Sequence, residues 1–310
     1  MQYDAIIVGA GPAGLTAAIY AGRAKMKTLV ISDAIPGGHA MLTEEIENYP
    51  GFPNFIKGPA LLENIYNQAK KLELEFETVK VEKIQKSDNG FIVKSGSGEF
   101  NALSVIIATG TSYKKLQIKG EEEFAGKGVS YCGVCDAPLF KNKEVAVIGG
   151  GDTAVYEANH LLKFCSKLHL VHRRDRLRAA KVIQGKVLGD KRTVPHWNSV
   201  LEEIYGTKFV EGIKIRDINA NKIIDLPCKG VFIFVGIMPN SDIVKELIKL
   251  DESGYILTDE NMQTSLKGIF ASGDVRKKML RQISTAVGEG AAAAYAAQYY
   301  VEELKGIAYK

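Results

Sequence analysis

Two cysteines three positions apart, Cys132 and Cys135, are followed directly by a carboxylate, Asp136. A C-x-x-C pair supports three chemistries: a redox dithiol, half of a zinc site, or two inert buried thiols. As a redox pair it needs one sulfur to attack as a thiolate and the other to resolve the mixed disulfide. Asp136 is then positioned to protonate a leaving thiolate, directly or through water. A zinc site needs four ligands, and the remaining candidates are Cys165, Cys228 and five scattered histidines with no second C-x-x-C. No metal site is expected, and Cys165 and Cys228 read as core residues.

Two glycine-rich runs carry a second kind of chemistry. Gly9-Ala-Gly11-Pro-Ala-Gly14 follows the apolar run Ala5–Val8 and precedes the helix-like Leu15–Ala24. Asp33 follows the second strand-like run, Thr28–Ile31, at the offset from Gly14 that an acidic ribose ligand takes in such units. Between a strand and a helix, such glycines permit a tight turn and close approach to a pyrophosphate, while the helix start offers free N–H groups. Asp33 suits either a ribose hydroxyl or a simple turn. Gly149-Gly-Gly151-Asp-Thr-Ala154 repeats the pattern later in the chain, after Glu144–Ile148. Here the second strand, Lys167–Val171, ends in His172-Arg173-Arg174-Asp175-Arg176-Leu-Arg178, and Arg173 stands as far from Ala154 as Asp33 does from Gly14. Guanidinium groups at that offset pair with a 2′-phosphate, which a carboxylate would repel. The first copy therefore predicts one dinucleotide, and the second predicts NADPH rather than NADH.

The elements that must hold these residues read as two βαβ units. In the first, Pro59–Leu72 reads as a helix. Glu75–Lys86 and Phe91–Lys94 alternate about the Asp88-Asn89-Gly90 turn, and Leu103–Ile107 is a buried strand ending in Ala108-Thr109-Gly110. In the second, the helix after Gly151 runs to about Phe164. Gly212–Arg216 and Lys222–Asp225 flank Asn219-Ala-Asn221 as a hairpin, and Gly230–Val235 is a buried strand. Near the end, Gly273-Asp274 follows a short apolar run, which suits hydroxyl binding or a turn. The small-residue helix Ala286–Val301 comes last. Gly37-Gly38-His39 and Glu47-Asn48-Tyr49-Pro50-Gly51 read as functional loop material, with His39 a structural or hydrogen-bonding contact rather than a catalyst.

The whole-chain properties exclude other classes. At 310 residues the chain has room for about two domains of roughly 100–200 residues each. A net charge of +4 without a long basic run predicts no nucleic-acid partner. No apolar stretch is long enough to span a bilayer, and the first residues lack a basic n-region. The expected setting is cytoplasmic, where four cysteines make no disulfide scaffold.

Taken in order, Gly9–Gly14, Ala108–Gly110, Cys132–Asp136, Gly149–Ala154, His172–Arg178, Gly273-Asp274 and Arg281-Gln282 resemble the low-molecular-weight thioredoxin reductases over essentially the whole chain. The resemblance implies an α/β fold of two Rossmann-like three-layer domains, each with a β-meander, the second inserted into the first. Residues 1–113 and 244–310 would bind FAD, and residues 114–243 would bind NADPH and carry the C-x-x-C. For FAD it implies contacts from Gly9, Gly11, Gly14, Asp33, Gly38, Asn48, Ala108, Gly110, Asp274, Arg281 and Gln282. For NADPH it implies Gly149, Gly151 and Ala154 at the pyrophosphate and Arg173, Arg174 and Arg178 at the 2′-phosphate. Cys135 would adjoin the flavin and Cys132 would attack thioredoxin or a thioredoxin-like protein; a homodimer is also implied. The chain departs from the family at Gly133-Val134 (commonly Ala-Thr), Ala137 (Gly), His39 (Gln), Lys277 (Asp) and Leu280 (Tyr).

The C-x-x-C lies only a short way before Gly149, so disulfide and NADPH turn share one domain while the flavin belongs to the other. Both must reach one flavin, which predicts alternation by rotation on linkers near 111–118 and 238–245. Two rival readings are a ferredoxin-dependent flavoprotein of the same build and a non-enzymatic redox sensor. The first leaves Arg173, Arg174 and Arg178 without a role. The second leaves the acid beside the dithiol without one.

Overall fold

The computed structural model describes residues 2–33, 36–43 and 45–309. The chain divides into one unit formed by Met1–Ser112 with Met238–Lys310 and a second formed by Tyr113–Ile237.

In the first unit, Gln2–Val8 is a strand buried without break from Ala5 to Val8, the pattern of a parallel sheet covered on both faces. It pairs in parallel with Thr28–Ser32 on one side and Gly98–Ile107 on the other. The alternating run after the Gly58–Lys70 helix is two strands, not one. Glu75–Thr78 joins the parallel sheet beside Thr28–Ser32, and Val81–Ser87 pairs antiparallel with Gly90–Ser95. Alternation alone does not show the break, because both strands keep the two-residue period while changing partner. Gly98–Ile107 also exceeds the expected strand. Its first half pairs antiparallel with Gly90–Ser95, and its second half pairs in parallel with Gln2–Val8 and Ile269–Ala271. Strand order reverses between Gln2–Val8 and Gly98–Ile107, so the crevice at their carboxyl ends is the place where such sheets bind ligands. Helices Pro12–Arg23 and Ile283–Lys305 pack so closely that a Cβ on Gly290 would fall 2.2 Å from the Ala13 carbonyl oxygen. Beneath them Ile7, Leu15, Ile106 and Phe270 are essentially fully buried, each worth about 1.5–3 kcal/mol.

The second unit repeats the plan with an all-parallel sheet. Its order is Thr193–His196, Lys167–Val171, Glu144–Gly149, Gly230–Phe234, Val129–Ser130. Helix Asp152–Leu161 follows Gly149 and stops before the expected Phe164, so Cys165 is a buried residue just beyond it. A separate antiparallel sheet of Ser199–Gly206, Val210–Asp217 and Lys222–Pro227 forms the meander. Where the chain passes between units, Thr111–Tyr113 pairs with Ile237–Pro239. Among the described residues no helix is long and apolar enough to cross a membrane.

Candidate active site

At the first crevice Gly9, Gly14 and Ala108 interlock. A Cβ on Gly9 would meet the Ala108 carbonyl oxygen at 2.3 Å, and one on Gly14 would meet the Gly9 carbonyl oxygen at 1.9 Å. Gly9 also has φ +107°, outside the range of other residues. Gly11 has open space where a side chain would project, and the helix that starts after it has no side-chain cap. Its first N–H groups are therefore free for an anion. Gly38 lies against Gly11, its Cβ position 3.3 Å from the Gly11 Cα, and Gly110 faces open space with φ +64°. Asp33 is exposed just after Thr28–Ser32.

Three more expected residues converge from the chain's end. Asn48 Nδ2 donates to Gln282 Oε1 at 2.9 Å. Gln282 also caps helix Ile283–Lys305 in a reciprocal box with Thr285. Arg281 lies over the Tyr255 ring at 4.1 Å and donates to the Asp274 and Arg276 carbonyls. Asp274 Oδ1 is buried and 3.2 Å from Lys278 Nζ but lacks hydrogen-bond geometry, and the buried Ser272 hydroxyl beside it has no partner. Desolvation lowers the His39 pKa against the pull of the Asp274 carboxylate, so the two lie within electrostatic reach. Sequence reasoning missed the ion cluster beneath them. Glu289 accepts from Gly273 N at 2.8 Å and pairs with Arg276 at 2.9 Å and Lys278 at 3.2 Å. Glu289 lies in a small-residue helix with no motif to mark it. Open glycines, an uncapped helix start and orphaned buried oxygens fit a ligand with a pyrophosphate and hydroxyl groups, as FAD has.

At the second crevice Gly149 has φ +146°, and its Cβ position falls 2.4 Å from the Phe234 carbonyl oxygen. The helix after Gly151 again lacks a side-chain cap, since its N-cap is glycine, and Asp152 Oδ1 accepts from Ala180 N at 2.8 Å. Arg178 N donates to the Gly150 carbonyl at 2.7 Å, and Arg178 Nη2 lies 3.4 Å from where a Gly151 Cβ would be. Arg173, Arg174, Arg176 and Arg178 are exposed, and none pairs with a carboxylate among the described residues. They surround His172, whose pKa is lowered by burial and by Arg173, Arg174 and Arg178 against a hydrogen bond to the Arg176 backbone. The buried His172 Nε2 has no partner. The arrangement fits a nucleotide bearing an extra phosphate. His172 is the residue that sequence reasoning quoted without a role, and its orphaned nitrogen is visible only in three dimensions.

Cys132 and Cys135 form a disulfide across a single helical turn, Gly133–Asp136, with Cα atoms 5.4 Å apart. Cys135 is exposed, while Cys132 and Asp136 are half-buried. Cys135 N donates to Cys132 Sγ at 3.2 Å, and Asp136 N donates to the Cys132 carbonyl at 3.3 Å. The other two thiols are buried and pushed up, Cys165 to about 11 and Cys228 to about 12, so neither competes as a nucleophile. Among the described residues no three His, Cys, Asp or Glu side chains cluster as metal ligands.

Residues 3–290 match the pyridine nucleotide-disulphide oxidoreductase family. The chain is 45% identical over 308 residues to the thioredoxin reductase of Listeria innocua, covering 98% of this chain and 95% of that protein. It superposes on the crystal structure of Lactococcus lactis thioredoxin reductase (FR conformation) with a TM-score of 0.95 at 43% identity, covering 97% of this chain and 99% of that one. A ferredoxin-flavin thioredoxin reductase from Clostridium acetobutylicum matches with a TM-score of 0.52 at 31% identity, covering 98% and 99% of the two chains. The chain belongs to the pyridine nucleotide-disulphide oxidoreductase family and, within it, to the thioredoxin reductases.

Proposed function

We propose that this chain takes two electrons from NADPH, passes them through FAD to the Cys132–Cys135 disulfide, and reduces thioredoxin or a thioredoxin-like protein. The observation that carries the reading is the closed disulfide in the same unit as an uncapped Gly149–Ala154 turn flanked by unpaired guanidinium groups.

FAD, when bound, supplies the two-electron relay between a hydride donor and a disulfide. Gly9, Gly11 and Gly14 hold its pyrophosphate, with Gly38, Ala108 and Gly110 shaping the crevice. Asp33, Asn48, Asp274, Arg281 and Gln282 take its hydroxyl and ring atoms. Gly149, Gly151 and Ala154 hold the NADPH pyrophosphate, and Arg173, Arg174 and Arg178 select its 2′-phosphate. Cys135 receives electrons from the flavin side, Cys132 attacks the partner disulfide, and Asp136 donates the proton that the leaving thiolate needs. Residues 1–113 and 244–310 serve as the FAD domain and 114–243 as an inserted NADPH domain. Because the disulfide and the NADPH turn share a unit, both reach the flavin by alternation at the linking segments. A cytoplasmic setting and a homodimer complete the reading, the latter tested by sedimentation of the FAD-loaded protein.

Two single-cysteine variants test the assignment of the sulfurs. Cys135→Ser, which keeps the Cys132 thiol, is expected to trap thioredoxin as a stable mixed disulfide, and Cys132→Ser is not. Trapping by Cys132→Ser alone would reverse the roles. Trapping by neither would remove thioredoxin-like proteins as the substrate.

A further inference from the structure

The redox turn is held from behind by a carboxylate that none of the steps above uses. Glu157, on helix Asp152–Leu161, accepts a hydrogen bond from Val134 N at 3.0 Å, and the adjacent Gly133 N–H also favours its charged form. A Cβ at Gly133 would fall 2.2 Å from Glu157 Oε2. The alanine common in the family at this position would push the carboxylate aside. The departure at Gly133 therefore has a physical reading: it clears the seat that Glu157 occupies.

Successive N–H groups of the turn divide between two residues. That of Val134 goes to Glu157, and those of Cys135 and Asp136 go to the sulfur and carbonyl of Cys132. A carboxylate and the sulfur that becomes a thiolate thus share one short stretch of backbone donors. We propose that Glu157 is a positioning residue for the redox turn, and that it takes up a proton when the Cys132–Cys135 disulfide is reduced and releases it when the disulfide re-forms. The proposal rests on reading Cys132–Cys135 as a redox pair, but not on the identity of the electron donor or the partner.

The balance is simple. Reduction breaks the S–S bond with two electrons, from NADPH in the proposed reaction or from a phosphine in a test. A thiolate plus a thiol bind one proton. Two negative charges at one turn repel, so Glu157 binds a second proton from water. Burial supports this by raising the Glu157 pKa to about 7 against the backbone N–H groups of the turn, which lower it. The titratable groups on the elements against it are Tyr113, pushed up to about 12 by burial with Glu157 adding to the rise, and Cys132, Cys135 and Asp136 of the turn itself. On its own helix Asp152 is bonded to Ala180 N, and the His160 ring packs on Phe164. Of the cations on or beside the elements packed against its helix, Lys143 donates to the Leu139 carbonyl and Lys167 pairs with Glu144, while Lys181 and Lys186 are exposed.

The test uses the full-length protein reduced with tris(2-carboxyethyl)phosphine, so failure of the NADPH or thioredoxin reading leaves it unaffected. The rate of iodoacetamide labelling at Cys132 and Cys135 is followed by peptide mass from pH 5.5 to 9. Wild type is expected to show two steps, because carboxyl and thiol titrate as a coupled pair. Glu157→Gln keeps an acceptor for the N–H groups but removes the charge. It is expected to show one step at lower pH and labelling at pH 7 faster by roughly three- to tenfold. Gly133→Ala, which displaces the carboxylate without removing it, should move the profile the same way and carries the test if the Gln variant does not fold. Profiles of unchanged shape in both variants would overturn the proposal, as would a uniform slowing at every pH.

Discussion

The two units use one turn for two purposes, and the differences between them separate what is generic from what is specific. Gly9 and Gly149 occupy the same place, each blocked by the carbonyl of the neighbouring strand's end. Both following helices start without a side-chain cap, whereas the long helix Ile283–Lys305, which no motif assigns to an anion, is capped by Gln282 and Thr285. The copies diverge at the third small residue, Gly14 against Ala154, and after the second strand, Asp33 against Arg173 and Arg174. They diverge once more in the helix itself. Glu157 follows Gly149 by the same interval at which Ala17 follows Gly9. Ala17 is fully buried in the first unit, whose helix packs along the chain's last helix. In the second unit the redox turn packs there instead, and a carboxylate reaches it. Both copies present the same uncapped glycine turn, and only the second is followed by exposed arginines and shares its unit with a disulfide.

The disulfide, present in one unit alone among the described residues, should carry the largest effect. Cys132→Ser or Cys135→Ser should lower NADPH-dependent thioredoxin reduction by about a thousandfold or more while leaving FAD content in the first unit unchanged, as an absorption spectrum would report. Next, the third small residue should matter unequally. Gly14→Ala puts a Cβ 1.9 Å from a backbone oxygen and is expected to cost several kcal/mol and FAD retention. Ala154→Gly should cost only about 1 kcal/mol. Thermal melts with and without added FAD check both. The clamp is sharpened by Arg173→Ala and Arg174→Ala, each expected to raise KM for NADPH by roughly ten- to a hundredfold, since a charge-assisted hydrogen bond is worth about 1.5–3 kcal/mol. NADH kinetics should barely move.

The smallest effect concerns stability and pH. The Glu157 carboxyl titrates at about 7 in the folded chain, above its ordinary 4.5. Between those values the native state therefore binds more protons than the unfolded state, so stability falls as pH rises through that window and the loss is complete above the folded pKa. The full penalty is at most about 3 kcal/mol, less where water reaches the carboxylate. Melting curves from pH 5 to 8 should decline more steeply in wild type than in Glu157→Gln. Identical slopes would remove this distinction between the two helices.

Both glycine turns were legible in the sequence, because a strand, glycines at fixed spacing and a helix obey local rules. So was the redox pair. What stayed hidden depended on partners distant in the chain. Glu75–Thr78 reads as part of a hairpin until its parallel neighbour is known, and Ser199–Gly206, Thr193–His196 and helix Lys181–Leu188 carry weak patterns that only packing stabilises. Gly133 looks like an arbitrary departure until Glu157, on the helix beyond the next strand, is seen to lie where its Cβ would be. Lys278 and Glu289 meet beside Asp274 because a strand end and a helix face converge, which no spacing announces.

Electron flow from NADPH to the disulfide of a thioredoxin through Cys132 and Cys135 is open to direct measurement. The direct measurement is thiol formation in oxidised thioredoxin, with the FAD-loaded protein supplied in parallel with NADPH, NADH or reduced ferredoxin, and with Cys135→Ser as control. Fast thiol formation is expected with NADPH, little with the other two donors, and none with the variant. Flavin that NADPH does not bleach, or thioredoxin reduction that survives loss of Cys135, would contradict it.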